Sequence, residues 1–233
     1  MKKLWFIPML FVVALFAAGC NQGIPAEEAA PLFINRLVYQ EEIETFEENF
    51  TNGSELGEIF QQQQELFQEH FVTGIIGVNE EIEEEQADEI YRLLMQRLDD
   101  TTYEVKQVSE TDQIANIVYE IQGISIEDLV QTTTSELLVA IDADNQLVKE
   151  ETRLVETTIA ILKEQIPTTP IKEEPTTVSL QMKQEKGQWR LLSGQEDAIG
   201  AIYLSFIAGV SSREQLEEDL QTAVAEINSQ SEE

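Results

Sequence analysis

Apolar residues recur along the chain with two different periods. From Leu32 to Phe50, Tyr39, Ile43, Phe46 and Phe50 are spaced 4, 3 and 4 apart, which predicts one face of a helix. Asn52-Gly53-Ser54 signals a turn. A second helix follows from Ser54 to about Val72, with Leu56, Ile59, Phe60, Phe67 and Phe71 inward. TGIIGVN (73–79) reads as a small apolar loop. A third helix runs from about Glu81 to Leu98, with Ala87, Ile90, Tyr91, Leu94 and Leu98 at helical spacing. The period then falls to two. Tyr103 and Val105, then Ala115, Ile117, Tyr119 and Ile121, alternate with polar residues and predict half-buried strands joined by a turn at Ser109–Asp112. Ser125 and Asp128 look like a capping box opening a fourth helix, which Asp142–Asn145 breaks before a fifth that reaches Ile166. Pro167, Pro170 and Pro175 make an extended connector. Val178, Leu180 and Met182 form a strand, Lys186-Gly187-Gln188 turns it, and Trp189 and Leu191 begin its partner. Ile199, Ile202, Tyr203 and Phe206 mark a sixth helix. Ser212 and Gln215 cap a seventh, and the tail 229–233 is expected to fray.

This order predicts an α+β fold. N-terminal helices pack on a curved antiparallel sheet of about four strands, with a helical-pair insertion (125–166) and C-terminal helices, all in a single domain over 32–228. The early helices, the hairpin-linked strands and the closing GQWRLLS together resemble the cystatin-like or nuclear-transport-factor-2-like fold. Small Gram-positive lipoproteins of unknown function often carry such domains. The resemblance spans Leu32 to Phe206 and departs at the insertion. It implies a curved sheet with a pocket and no particular chemistry, since folds of this kind host both enzymes and binding modules.

Residues 1–20, MKKLWFIPMLFVVALFAAGC, have the layout of a secretory signal peptide. Lys2 and Lys3 precede an apolar run of about 15 residues, short of the roughly 20 that span a bilayer. Ala17-Ala18-Gly19-Cys20 resembles a bacterial lipobox, although Ala17 stands where Leu is commonest. The resemblance implies cleavage between Gly19 and Cys20 and acylation of Cys20, palmitate included. Residues 20–31 then serve as a tether. The expected location is the extracytoplasmic face of the cell membrane, with the bilayer as partner through Cys20. The run LFVVALFAAG also has the composition of a peptide pheromone, as any such apolar run does.

Charge narrows the partners. Among 233 residues, 14 Lys+Arg stand against 45 Asp+Glu, for a net charge of −31. That excludes nucleic acid as a partner and electrostatic attraction to anionic lipid. One Cys excludes an internal disulfide and a multi-Cys metal site, and one His excludes a multi-His metal site. The 55 residues between Arg36 and Arg92 hold 16 acids and no Lys or Arg, which reads as a solvated helical face. Asp142-Ala143-Asp144-Asn145 begins like a calcium loop but has Leu147 and Arg153 where Gly and Glu are required. The run Glu80–Glu85 reads as the negative start of the third helix. His70 reads as a residue of a helix C-terminal turn. Lys172, Lys183, Lys186 and Arg190 gather near the last hairpin and form a candidate binding patch. Tyr103, Tyr119, Tyr203 and Trp189 are pocket candidates that pair with no carboxylate by spacing. The expectation is therefore no catalytic residue, no metal and no cofactor. The chain reads as a non-enzymatic module binding an envelope protein or small ligand. Its rival is a pocket enzyme, which a carboxylate-lined cavity under Trp189 would favour.

Overall fold

The computed structural model describes residues 23–78 and 82–230. Helix α1 spans Ala26–Ile34 and continues as a π-helical turn over Asn35–Tyr39. Helix α2 spans Ile43–Asn49, α3 Gly53–Val78 and α4 Glu84–Leu98. Strands β1 (Thr102–Thr111) and β2 (Ile114–Gln122) follow. Helices α5 (Ile126–Ala143) and α6 (Glu151–Gln165) come next. Strands β3 (Thr176–Glu185) and β4 (Gln188–Leu191) precede α7 (Glu196–Ala208) and α8 (Arg213–Gln230). The fold is α+β, as expected. The four strands lie in chain order, β1-β2-β3-β4, and every pairing is antiparallel.

The sheet is buried on one face. In β2 the buried residues Ala115, Ile117, Tyr119 and Ile121 alternate with half-buried ones, as a β-branched run of period two dictates. Val178, Leu180 and Met182 continue that face on β3, and Trp189 on β4. A register shift at Lys106, between Val105 and Gln107, puts a bulge in β1. Both hairpins turn on two residues of positive φ, Asp112-Gln113 and Lys186-Gly187, the handedness that matches strand twist. The first turn falls later than the expected Ser109–Asp112: Ser109, Glu110 and Thr111 pair within β1, and only Asp112 and Gln113 make the turn.

Phe33, Ile34 and Leu37 of the first helix join Phe46, Phe50 and Phe60 in the main core with the sheet face. A second cluster, with Ile90, Leu94, Leu129, Ile159 and Ile166, packs the inserted pair α5–α6 on α4. Helix α7 crosses the far end of the sheet so closely that a Cβ on Gly123 would lie 1.8 Å from the Ser205 carbonyl oxygen. Glycine is required there because backbone meets backbone.

Several sequence expectations need correction. The residues expected as a tether are helical from Ala26, and Ala26, Ala29 and Ala30 are buried. The expected helix over 32–50 is divided by the π turn and by Gln40 and Glu42, both of positive φ. That break exposes Ile43, and Ile59 is exposed on α3. The expected loop at 73–79 is helical to Val78, because α3 runs through both Gly74 and Gly77. Residues 1–19, with Gly19, and Cys20 lie outside the described residues, as do Glu80 and Glu81 and the last three residues of the tail.

Candidate functional site

The helical side of the sheet holds a cleft of about 390 Å3. One wall is α7, contributing Ile199, Gly200, Tyr203 and Ile207. The opposite wall is Gln63, Gln64 and Phe67 of α3. Val38 of the π turn and Met95 and Leu98 of α4 close the floor, and Glu196 and Arg213 stand at the rim. The sequence EDAIGAIYLSFIA explains why α7 can do this. It is apolar nearly all round, so Ile202 enters the core, Phe206 packs in the core and also borders the cleft, and other residues remain for the cleft. A Cβ on Gly200 would meet nothing within 4 Å. The volume falls in the lower part of the range for small-molecule sites, and the lining is predominantly apolar with a few polar groups, as such sites are.

Four tyrosines fix the segment above the sheet. Tyr119 donates its hydroxyl to the Ala30 carbonyl at 3.0 Å, and Tyr203 donates to that of Leu37 at 3.0 Å. Tyr103 donates to Asn35 Oδ1 at 2.6 Å, and Tyr39 reaches the Thr101 carbonyl at 3.1 Å. The Leu37 carbonyl lies in the last turn of its helix, where intrahelical donors run out. Burial raises the phenol pKa of all four, that of Tyr203 to about 12, partly offset by the positive charge of Arg36. Tyr203 alone of the expected pocket aromatics lines the cleft. Trp189 is fully buried, and its Nε1–H donates to the Ile24 carbonyl at 2.9 Å.

The expected cationic patch is divided. Lys183 and Arg190 are cross-strand neighbours, and both pair with Glu185, at 2.8 and 3.1 Å. Those two hydrogen-bonded cations hold the Glu185 carboxyl down at about 2. Lys186 sits in the adjacent turn. Lys172 is at the other end of the sheet: it bonds Gly123 while Lys183 faces Ile114, nine residues apart along that strand and its continuation, or roughly 30 Å. It pairs with Asp219 of α8 at 3.2 Å. His70 is exposed within α3, two turns before its end and so not in a C-terminal turn. Asp144 accepts from the Gln146 backbone N–H and pairs with Arg153 at 2.8 Å. Glu84 and Glu85 lie in the first turn of α4, behind a reciprocal capping box between Glu83 and Gln86. Among the described residues no three His, Cys, Asp or Glu side chains cluster to hold a metal. No helix there is long and apolar enough to cross a membrane.

Sequence reasoning missed Arg36, read only as one end of the acidic segment. It is 6% exposed, its Nε has no hydrogen-bond partner, and no carboxylate pairs with it among the described residues. The apolar spacing around it carries the signal: position 36 lies among Phe33, Ile34, Leu37 and Val38, all of them buried.

An α+β domain with a one-sided antiparallel sheet and an apolar cleft among its helices is thus defined. The chain belongs to the family described as Domain of unknown function (DUF5105), which matches residues 22–204. Its fold is similar to that of ycdA from Bacillus subtilis, a protein provisionally described as a lipoprotein, with a TM-score of 0.52 at 14% identity. The match covers 84% of this chain and 58% of that one, so this chain spans less than two thirds of ycdA. No curated protein matches significantly.

Proposed function

We propose that this chain is a lipoprotein, held at the extracytoplasmic face of the cell membrane by acylated Cys20, whose domain binds a small apolar ligand without catalysis. The observation that carries the binding reading is the cleft between α3, α4 and α7, with open space at Gly200. The tyrosine hydroxyls that an enzyme would use are instead committed to acceptors that fasten the α1 segment. Trp189 is packed in the apolar core, the arrangement that favours a binding module. The anchor reading rests on the lipobox-like Ala17–Cys20 and accords with the description of ycdA. The one-sided sheet also suits the resemblance to cystatin-like and nuclear-transport-factor-2-like domains.

Two experiments test this. Labelled palmitate is incorporated into the wild type and not into Cys20→Ala; equal labelling overturns the anchor. Uncharged N-phenyl-1-naphthylamine binds the wild type at one saturable site, and Gly200→Leu abolishes that site. Binding unaffected by Gly200→Leu removes the cleft as the ligand site.

A further inference from the structure

Two opposite charges line the rim of the cleft, Glu196 and Arg213. Both are exposed, and neither forms an ion pair among the described residues, with the other or with a third group. They reach the cleft from opposite ends of α7. Glu196 is the first residue of that helix, next to Gln195, which accepts the Gln181 backbone N–H. At the other end the Gly209 carbonyl accepts the Thr176 hydroxyl. A Cβ on Gly209 would lie 2.6 Å from Cδ of Lys172, which pairs with Asp219 of α8. Helix α8 therefore begins beside the Gly209 end, and Arg213 is its first residue. Between the charges the α7 wall is apolar, with Ile199, Tyr203 and Ile207 on it. Ile207 lies 11 positions after Glu196, about 16 Å at the helical rise. Facing this wall, Gln63 of α3 brings a donor and an acceptor on one side-chain amide.

We propose that the cleft's ligand is a short apolar peptide with both ends free, its ammonium at Glu196 and its carboxylate at Arg213. This rests on the cleft being the ligand site. An extended peptide advances about 3.3 Å per residue, so roughly five residues match the length of the apolar wall. The Arg213 guanidinium fork fits a terminal carboxylate through two parallel N–H···O bonds. Phe67, Met95 and Ile199 cover the side chains, and the Gln63 amide complements a peptide group. A fatty acid would answer Arg213 alone and leave the Glu196 carboxylate beside its tail; a peptide answers both charges.

The test is equilibrium dialysis of the pentapeptide Ala-Leu-Val-Leu-Ala against the full chain, with its ends free, N-acetylated, C-amidated or both blocked. The free form binds the wild type at one saturable site and displaces N-phenyl-1-naphthylamine. Each block lowers affinity about threefold to fivefold, the worth of an exposed ion pair. Glu196→Gln removes the effect of acetylation and keeps that of amidation, and Arg213→Gln does the reverse. Both side chains are exposed, so melting temperatures of the two variants stay close to that of the wild type. Equal affinities for the free and blocked forms, or blocking effects that survive both substitutions, overturn the assignment of the ends. Dye that dodecanoate displaces and no form of the peptide does overturns the peptide and leaves the cleft standing. Failure of dye and peptide alike to bind the wild type overturns the cleft and this reading with it.

Discussion

The indole Nε1–H of Trp189 donates to the carbonyl oxygen of Ile24 at 2.9 Å, joining the last strand to the beginning of the described chain. The same oxygen accepts from Gln184 Nε2 at 3.0 Å, and Thr51 N–H donates to the Trp189 carbonyl at 2.7 Å. The last hairpin is therefore fastened to segments about 140 to 165 residues earlier. Trp189→Ala should lower stability by about 3–5 kcal/mol, as for other buried aromatic truncations. Trp189→Phe keeps most of the ring packing and leaves Gln184 on Ile24, so it should cost much less. Urea midpoints measure both. Equal small shifts would show that the indole is not part of the core.

Two glycines should respond in opposite directions. Gly200 lies within α7 with open space about it. Gly200→Ala should stabilise by about 1 kcal/mol, the helix-propensity difference. Gly123→Ala should destabilise by more than that gain, because the Ser205 carbonyl occupies the space of the new methyl group. It would also strain the Ile124 N–H to Phe206 carbonyl bond, 3.0 Å long, that ties α7 to the end of β2. Denaturant midpoints of the two variants give the signs. Stabilisation by Gly123→Ala would mean that α7 does not cross there.

The sequence showed those features that depend on local chemistry. Alternation marked β2, and strong helix formers on a period of 3.6 marked α4. Two caps were legible: Ser125 Oγ accepts from Asp128 N–H at 3.4 Å, and Ser212 Oγ from Gln215 N–H at 3.2 Å. What stayed hidden depends on long-range packing. Gly23, Pro25 and Pro31 read as a tether, yet Ala29, Ala30 and Phe33 bury that helix against the sheet, and tyrosines 70 to 90 residues away hold it. TGIIGVN read as a loop because glycine is a poor helix former, but α3 carries through it. The cleft lay beyond reach for the same reason: its walls come from α3, α4 and α7, and no spacing in the chain relates them.

Alkaline pH should unfold the protein through its tyrosines. All five have folded-state pKa values raised chiefly by burial. A raised pKa contributes stability that is fully present below the unfolded value, about 10, and is lost as pH rises through the folded one. For Tyr203 the folded value is about 12. Stability should therefore hold to about pH 10 and fall steadily towards 12. Phenolate absorbance should appear together with the loss of near-ultraviolet circular dichroism. Titration of all five near pH 10 with the fold intact would contradict the burial of these rings.

Added salt should raise the melting temperature. The segment 37–91 carries 16 carboxylates and no Lys or Arg, and among its described residues only Glu89 forms an ion pair, with Lys163 and Arg92. These charges lie mostly on the exposed faces of α2, α3 and α4, where they repel one another. Such repulsion is screened over about 10 Å at 0.1 M salt. Sodium chloride should thus stabilise the full chain with a shallow, unsaturating dependence. Calcium should act more strongly per mole at matched ionic strength, again without a sharp midpoint, since Asp144 already faces Arg153 and the loop lacks calcium-binding spacing. Thermal melts in the two salts decide it. A saturable calcium response with a micromolar midpoint would require a specific site, and substitutions at Asp142, Asp144 and Glu83–Glu85 would then locate it.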